Sequence, residues 1–391
     1  MTNPFKTLFL LDPSIIFLNH GSFGACPRPV FEAYQAWQRE LERQPVLFIG
    51  RKLSVYDQAA RQKLGAYLHV DPDDLVYIPN VTYGVNVIAR SLALEAGDEI
   101  LTTDHEYGAC NSTWEFACQK TSAVYIHQPI PLPVHSAEAV VGQFWQGVTP
   151  RTKVIYLSHI TSPTALRMPV EAICARARQN GILTVVDGAH APGQLPLDLE
   201  AVGADFYVGN CHKWMLSPKG AGFLHARREV QHLIEPLVVS WAYHLAATGN
   251  GAHYLDYVRW TGTRDPAAQL SVPAAIEFME THNWLEVRQE CHRLLQMAIT
   301  QICDLTGQPA LYPLDSDFYS QLGIAPLSPE TDLAALKNRL YDEYHIEVPC
   351  VFWQQRKLMR ISVQAYNTME DLKALVGALQ VLLPQCQESA R

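Results

Sequence analysis

The sequence Thr-Val-Val-Asp-Gly-Ala-His-Ala-Pro-Gly occupies residues 184–193, where an apolar strand ends in Asp187 and opens into a glycine-containing turn. Between about residues 75 and 225, short β-branched apolar runs of this kind alternate with amphipathic segments. This alternation is typical of a mostly parallel sheet with helices on both faces. It predicts a large α/β domain with seven strands, at residues 75–78, 99–103, 123–127, 153–157, 183–187, 205–209 and 222–225.

After about residue 263 the pattern changes to longer amphipathic helices and a few short strands. Helices are predicted at 266–281, 284–306 and 369–383, and strands near 319–323, 346–348 and 358–362. An amphipathic helix is also predicted at 28–43, after a glycine-rich opening region. We therefore predict a large domain over residues 26–263 and a smaller α+β domain over residues 264–391.

Composition excludes several classes of protein. The 391 residues are 48% hydrophobic and carry a formal net charge of -9, which is ordinary globular composition and disfavours nucleic-acid binding. The 9 cysteines form no C-x-x-C pair, so neither a zinc site nor a disulfide framework is expected. No apolar stretch approaches the ~20 residues of a membrane span. We expect a cytoplasmic protein without a metal.

Two strand ends carry the residues with the clearest chemical meaning. Asp187 ends one predicted strand, and Lys213 follows another in the sequence Asn-Cys-His-Lys-Trp at 210–214. Ligands of open α/β sheets bind at this end of the strands. Capping of the turn is the less favoured alternative for Asp187 taken alone. Together, a partly buried lysine and a carboxylate are what pyridoxal phosphate requires, a Schiff-base amine and a partner for the pyridine nitrogen.

A phosphate site is predicted where residues 79–86 join a strand to an amphipathic helix. The amides of this helix start, the Thr82 hydroxyl and the adjacent Tyr83 are the candidate contacts for a phosphate dianion. A simple N-cap by threonine explains the same sequence equally well.

With these residues in place, the chain resembles the class V aminotransferase group of fold-type I pyridoxal-phosphate enzymes over nearly its whole length. Four segments make it most similar to isopenicillin N epimerase-like proteins, with cysteine desulfurases and cyst(e)ine C–S lyases as close relatives. These segments are Phe17-Leu-Asn-His-Gly-Ser-Phe-Gly24, Asp104-His-Glu-Tyr107, Ser158-His-Ile-Thr-Ser-Pro163 and Arg360-Ile-Ser-Val-Gln-Ala-Tyr-Asn367.

The resemblance implies a role for each of several residues near the cofactor. Lys213 corresponds to the Schiff-base lysine, Asp187 to the partner of the pyridine nitrogen, and His190 to a residue that contacts the phenolic oxygen. Tyr107 takes the place of the ring that stacks on the cofactor, with His105 as the alternative. Further cofactor contacts are implied for Asn210, His212 and His159, of which His212 fits a structural role near the phosphate as well.

The same resemblance implies how the substrate and a second subunit are bound. Thr263 lies in the segment Trp260-Thr-Gly-Thr263, which in relatives reaches the phosphate of the neighbouring subunit's cofactor, so a homodimer with shared active sites is implied. Arg360 is the candidate for the substrate α-carboxylate, because a guanidinium forms two parallel hydrogen bonds with it; a structural salt bridge is the alternative. Residues 1–25 are implied to fold over the active site, with Asn19, His20 and Gly21 near the substrate.

The expected chemistry is common to several reactions. An amino-acid substrate is implied to react through an external aldimine and a Cα carbanion, with Lys213 as the base. Epimerisation is the leading hypothesis; C–S lysis or desulfuration, transamination, and a non-catalytic protein that retained the fold are the alternatives. The segment before Arg360 is shorter than a desulfurase loop, and Cys350 is expected to be a buried, inert thiol.

Overall fold

The computed structural model describes residues 3–248 and 253–387. Residues 1–2, 249–252 and 388–391, which belong to the predicted N-terminal segment, large domain and C-terminal domain, lie outside the described residues. The strands are β1 (Ile16–Phe17), β2 (Leu75–Ile78), β3 (Glu99–Thr103), β4 (Val124–Gln128), β5 (Thr152–Ser158), β6 (Leu183–Gly188), β7 (Phe206–Asn210), β8 (Gly222–Ala226), β9 (Leu322–Pro326), β10 (Ile346–Glu347), β11 (Cys350–Trp353) and β12 (Arg356–Ser362).

Helices connect most of these strands. They are α1 (His20–Phe23), α2 (Arg28–Arg43), α3 (Pro45–Leu47), α4 (Leu53–Leu68), α5 (Val81–Ser91), α6 (Gly108–Thr121), α7 (Ala137–Trp145), α8 (Val170–Gln179), α9 (Leu199–Val202), α10 (Trp241–Thr248), α11 (His253–Arg259), α12 (Ala267–Leu270), α13 (Val272–Thr281), α14 (Trp284–Thr306), α15 (Leu333–Tyr344) and α16 (Met369–Leu382). Short 3-10 turns lie at Lys6–Leu8, Pro72–Asp74 and Arg228–Leu233, and a π-helical turn at Phe48–Lys52.

The predicted large sheet is confirmed. Within the described residues it has seven strands in the order β2-β8-β7-β6-β5-β3-β4, and only β8 runs antiparallel to its neighbours. Each strand lies within one residue of its predicted position. Because successive side chains point to opposite faces, Val185 joins the hydrophobic core on one face and Val186 the core on the other. Asp187, next along β6, therefore points to the same side as Val185.

A second, antiparallel sheet in the order β11-β12-β9 forms the core of the smaller unit. Helix α14 packs on β9 and on α16. Strand β11 was not predicted, and β9 begins three residues later than expected. A two-residue turn, Gln354 and Gln355, joins β11 to β12, and both residues have positive φ, 44° and 64°.

The N-terminal segment runs along the smaller unit. Strand β1 pairs in parallel with β10. The Ser362 amide donates to the Leu18 carbonyl at 2.9 Å, and the Asn3 side chain donates to the Ala365 carbonyl at 2.7 Å. From there α1 leads the chain to the loop that carries Lys213, where His20 Nε2 lies 3.1 Å from the Lys213 carbonyl oxygen.

The helix predicted at 266–281 is broken into α12 and α13. Pro273 has no amide hydrogen to donate to the Gln269 carbonyl, so the helical hydrogen bonding is interrupted at Ser271. Both halves pack against α2 and α4, which belong to the large domain. In residues 3–248 and 253–387, no helix is both long and apolar enough to cross a membrane.

Candidate active site

A cavity of about 710 Å³ opens at the carboxyl ends of the parallel strands. Half of the residues predicted to form the site line this cavity, namely Thr82, Tyr107, Asp187, His190, Asn210, His212 and Lys213. Ser22, Phe23, Ser158 and Ser162 also line it and were not predicted, although all four lie within or at the start of the quoted family segments.

Lys213 follows β7 and places its amine inside the cavity. Its Nζ lies 3.3 Å from His190 Nε2. Burial lowers the pKa of Lys213 to about 8, and the negative charge of Asp187 limits the decrease. A lysine with this pKa has about a tenth of its amine free at pH 7, far more than an ordinary lysine, and the free amine is the form that attacks a carbonyl.

Asp187 ends β6 as a buried carboxyl group with three donors. Oδ1 accepts the Ala189 amide at 2.8 Å, and Oδ2 accepts the Tyr156 hydroxyl at 3.1 Å and the Cys110 thiol at 3.5 Å. Burial raises the pKa of Asp187, whereas the Ala189 hydrogen bond and the Lys213 charge oppose this. A cationic ring N–H in the cavity would restore the charge partner that this carboxylate needs.

Glu106 is a second buried carboxyl group, which the sequence did not identify as part of the site. Its oxygens accept the Ser158 amide at 2.9 Å, the Ser158 hydroxyl at 2.6 Å and the Thr103 hydroxyl at 2.6 Å. Burial raises the pKa of Glu106 to about 7, with a smaller upward contribution from the Asp187 charge. The only sequence signal was a carboxylate between two aromatic rings just after an apolar strand.

Of the two rings considered for stacking, only Tyr107 lines the cavity, and it is 48% exposed. His105 is buried, with Nδ1 2.7 Å from the Thr164 hydroxyl and Nε2 2.7 Å from the Ile130 carbonyl. Its ring centroid lies 4.3 Å from that of Trp353. His105 therefore connects the loop after β3 with the end of β11 and is too enclosed to stack on a cofactor.

The predicted phosphate turn is partly saturated by side chains. Asn80 caps α5 by accepting the Tyr83 amide at 2.9 Å, and Asn210 Oδ1 accepts the Val81 amide at 3.0 Å. Thr82 lies between these two amides and lines the cavity, as does Asn210, whose amide group retains its two donors. The Tyr83 ring is half-buried and lies outside the cavity wall.

His212 is held in place by a hydrogen bond at its Nδ1. Nδ1 lies 3.0 Å from the Ala221 carbonyl, which only accepts, so Nδ1 carries the proton. Burial lowers the pKa of His212 to about 4, which leaves Nε2 of the neutral ring as an acceptor. Contact with a phosphate oxygen therefore requires a proton on one of the two partners.

Arg360 lies behind the cavity wall and reaches it through two serines. Nη1 donates to the Ser162 carbonyl at 2.7 Å and hydroxyl at 3.1 Å, and Nη2 donates to the Ser22 hydroxyl at 3.0 Å. Nε is buried and has no protein partner. Burial lowers the pKa of Arg360 to about 10, so the guanidinium stays charged at neutral pH. No carboxylate pairs with it among the described residues, which disfavours the structural salt bridge.

The predicted N-terminal contacts support the wall and do not line it. Asn19 donates to Glu347 at 2.8 Å and accepts the Ser22 hydroxyl at 2.6 Å. His20 is buried under the Lys213 loop, and the Gly21 amide donates to the Ser362 hydroxyl at 3.0 Å. The two residues that follow them, Ser22 and Phe23, are the ones that reach the cavity.

Two further predicted residues also lie outside the cavity wall. His159 is buried with Nδ1 3.0 Å from the Tyr207 hydroxyl, and its Nε2 has no protein partner. Thr263 is exposed at the end of the large domain, beyond α11. Their roles toward a cofactor stay predictions, which for Thr263 concern a neighbouring subunit.

No cysteine lines the cavity in the described part of the chain. Cys350 lies on β11 opposite Met359, and burial raises its pKa to about 12. The Gln354 side chain at the hairpin turn donates to the Asp104 carboxylate, and the Trp353 indole donates to the Asp104 carbonyl at 3.1 Å. No cluster of metal-ligating side chains occurs within residues 3–248 and 253–387.

The donor set of the cavity fits pyridoxal phosphate. Asp187 would offer a buried carboxylate to the pyridine N–H, and Lys213 would offer an amine to the aldehyde. Thr82 and Asn210 would offer donors to the phosphate at the start of α5. Tyr107 supplies a ring at the open side.

Comparison with known proteins supports this interpretation. The family model Aminotransferase class-V matches residues 28–375. Isopenicillin N epimerases of Amycolatopsis lactamdurans and Streptomyces clavuligerus are 34% and 35% identical, each over 95% of the chain and 96% of the relative. A putative L-cysteine desulfhydrase of Oryza sativa subsp. japonica is 27% identical over 95% of the chain and 84% of its own length.

The fold is shared with solved enzymes of lower identity. A cysteine desulfurase of Thermococcus onnurineus NA1 has a TM-score of 0.83 at 18% identity, covering 98% of this chain and 99% of that one. A mutant of C-DES with glycine covalently linked to its PLP cofactor has a TM-score of 0.80 at 21% identity, covering 94% and 97%.

Proposed function

The chain belongs to the aminotransferase class V family, and on this premise we propose that it inverts the configuration at the Cα of an amino acid, as an isopenicillin N epimerase-like enzyme. Pyridoxal phosphate, the cofactor indicated for the family, supplies when bound an electron sink that acidifies the substrate Cα–H bond. The observation that carries the proposal is that Lys213 and Asp187 share one cavity with the serines that hold Arg360.

Each residue has a separate task in this reaction. Arg360 binds the substrate carboxylate with Ser22 and Ser162 beside it and so fixes the direction of the Cα–H bond. Lys213, with a pKa near 8, removes the Cα proton from one face of the substrate. Asp187 holds its negative charge against the pyridine N–H.

Inversion also requires a proton donor other than Lys213. The sequence offers Tyr107, His20 or a residue of a neighbouring subunit for this step, and of the two own-chain residues only Tyr107 lines the cavity. His20 lies behind the Lys213 backbone and bonds to the Tyr366 hydroxyl at 3.0 Å. We therefore assign the second proton transfer to the Tyr107 hydroxyl.

The hairpin before Arg360 favours epimerisation over persulfide chemistry. A desulfurase-type mechanism needs a mobile nucleophilic thiol. Cys350 instead lies on β11, which pairs with β12 in a hairpin with a two-residue turn, and the pKa of its thiol is near 12. β-Elimination, as in the desulfhydrases, is the second candidate, because those relatives match over 95% of the chain and elimination needs no thiol.

Incubation with a panel of L-amino acids in deuterated water tests the proposal. Epimerisation yields Cα-deuterated D-isomer; pyruvate and sulfide from cysteine support the desulfhydrase reaction, and an α-keto acid formed from the amino donor supports transamination. The Lys213→Ala variant is the control for cofactor-dependent exchange. The epimerase assignment is abandoned if only elimination or keto-acid products accumulate.

We further propose a homodimer in which Thr263 of each subunit contacts the cofactor phosphate of the other. Thr263 is exposed and does not line its own cavity, while Phe23 at the cavity mouth is 74% exposed and Trp241 is 80% exposed. Light scattering measures the mass in solution. When Lys213→Ala and Thr263→Ala chains are combined and allowed to reassociate, each dimer with one chain of each kind holds one complete site. Up to about a quarter of the wild-type number of sites should therefore recover.

A further inference from the structure

The imidazole of His190 has a partner on each ring nitrogen. The Trp214 indole Nε1 lies 3.2 Å from His190 Nδ1, and Lys213 Nζ lies 3.3 Å from His190 Nε2. An indole N–H only donates, so Nδ1 is the nitrogen without a proton. In a neutral imidazole the proton must then be on Nε2, which faces Lys213 and donates to that lysine when it is a free amine, above its pKa near 8.

The surroundings of His190 keep it neutral. The charged or titratable side chains that act on it are Lys213, Arg360, His20 and His212, none of which is anionic. Burial and these neighbours hold the pKa of His190 well below its usual value. A single proton therefore remains on the ring at neutral pH.

The residues packed around His190 and Trp214 hold both side chains in place. Gly193 has φ +90°, and a Cβ there would collide with the Trp214 carbonyl, so the 190–194 turn approaches Trp214 only because residue 193 is glycine. Gln194 donates to the His190 carbonyl at 2.7 Å. The Trp214 ring is fully buried, 4.9 Å from the His20 ring. A flipped imidazole would present a C–H to the indole and lose its acceptor.

We propose that Trp214 is a positioning residue that holds His190 as the Nε2–H tautomer, so that the ring donates a hydrogen bond to the phenolic oxygen of the bound cofactor. The inference rests on the cofactor site of the proposed function and is independent of which reaction follows. Without the indole, the two neutral tautomers compete and the donor toward the cofactor is weakened.

A donor at the phenolic oxygen has a measurable consequence. It stabilises the negative charge on that oxygen and so weakens the attraction for a proton on the nitrogen that Lys213 contributes next to it. Loss of the donor raises the apparent pKa of that nitrogen, followed through the visible absorbance band, by roughly half to one unit. This is a three- to tenfold change in proton affinity.

The tautomer itself is tested without cofactor or activity. In apoprotein labelled with 15N-histidine and kept near pH 9, where Lys213 is mostly a free amine, the His190 signals are assigned by their loss in His190→Gln. The pair of nitrogen shifts expected is that of a single Nε2–H tautomer with an unprotonated Nδ1. An Nδ1–H tautomer, or an averaged pair of shifts in the unmutated protein, would overturn the proposal whatever reaction the enzyme catalyses.

The role of Trp214 is tested by Trp214→Phe in two backgrounds, loaded with pyridoxal phosphate. In the His190 protein the apparent pKa of the visible band should rise, and in His190→Gln the same change should leave it constant, because an amide donor has no tautomer. Trp284→Phe is the matched control, since Trp284 is also a buried indole but its Nε1 has no partner. An equal shift in both backgrounds, or no shift with His190, would show that Trp214 acts by packing alone; thermal unfolding verifies that each variant is folded.

Discussion

Lys213 is set apart from an ordinary surface lysine by its pKa near 8, and this determines how the apoprotein takes up its cofactor. Only the free amine attacks the aldehyde, so the uptake rate should rise about tenfold per pH unit below pH 8 and level off above it. Stopped-flow absorbance after mixing with pyridoxal phosphate measures the rate. Lys213→Arg should give no visible band, and borohydride should fix the cofactor to Lys213 in the unmutated protein; a rate that still rises to pH 10 contradicts this pKa.

Arg360 should act on substrate binding through the geometry of its guanidinium. Arg360→Lys keeps the charge but loses the parallel donor pair, so KM for the amino acid should rise about tenfold or more, a cost of roughly 1.5–3 kcal/mol. Steady-state kinetics on the active amino acid measures it. Arg356→Lys is the matched control, because Arg356 lies on the same strand but donates to the Leu132 carbonyl. Equal effects of the two substitutions would place Arg360 outside the substrate site.

Tyr107 should separate proton exchange from inversion. Tyr107→Phe removes the hydroxyl and keeps the ring, so Lys213 should still exchange the Cα proton of the L-amino acid with solvent while the D-isomer fails to form. Proton NMR in deuterated water combined with chiral chromatography measures both. Undiminished D-isomer would move the second proton transfer to another group.

At the residue scale, the sequence was most informative where chemistry restricts the choice of side chain. Asp187 and Lys213 could be identified because few other roles explain a carboxylate and an amine at buried strand ends. Ser22 and Ser162 could not, because small hydroxyl side chains are common in turns and only tertiary contact with Arg360 distinguishes them. Trp214 was equally hidden, since its hydrogen bond to His190 joins two separate strand ends.

Among the elements, buried parallel strands were predicted to within a residue, whereas β9 was misplaced by three. The prediction took Gly323 as a strand end, but this glycine lies inside β9, where a Cβ would approach the Ile299 side chain of α14 to 2.8 Å. Glycine there permits close helix packing rather than a turn. Strand β11 was missed because its turn is Gln-Gln, whereas two-residue hairpins usually carry Asn or Gly.

That turn leads to a stability prediction. Gln355 has φ 64°, a conformation that costs a non-glycine residue about 1 kcal/mol. Gln355→Gly should therefore raise the free energy of unfolding by up to about 1 kcal/mol, since the strain lost exceeds the added freedom of the unfolded chain. Urea unfolding measures it. Gln354→Gly is the comparison, and its free energy of unfolding should rise less because this variant also loses the hydrogen bond to Asp104. A Gln355→Gly protein less stable than the unmutated one would contradict the proposed backbone strain.

The whole molecule carries several buried neutral histidines, and this sets its behaviour in acid. Burial lowers the pKa of His20 and His159 to about 3 and of His212 and His225 to about 4. The unfolded chain binds these protons below pH 6.5 and the folded chain does not, so stability falls as pH drops from about 6.5 to 4. Glu106, with a pKa near 7, takes up a proton earlier when folded and offsets about one of them.

For these four histidines and Glu106 the net difference is about three protons, which corresponds to a loss of roughly 4 kcal/mol of stability per pH unit between pH 6 and 5. Burial also lowers the pKa of His190 and His105, which adds to the loss in the same direction, so the apoprotein should lose at least this much. Urea unfolding at a series of pH values gives this slope. His225→Asn should reduce it by about 1.4 kcal/mol per pH unit, because one buried titrating ring is removed far from the cavity. A pH-independent unfolding free energy over this range contradicts the protonation states assigned to these histidines.

The pairing of the first strand with β10 also bears on the order in which the parts of the active site become available during synthesis. Lys213 is made about 150 residues before Arg360, and Asp187 is made earlier still. The Ser22–Arg360 contact, the pairing of β1 with β10 and the Leu18–Ser362 hydrogen bond all join the N-terminal segment to strands made after Lys213. At ~5–20 residues per second, roughly 7–30 s pass between the synthesis of Lys213 and that of Arg360. Arg360, the candidate ligand of the substrate carboxylate, is therefore the last of the candidate active-site residues to be synthesised.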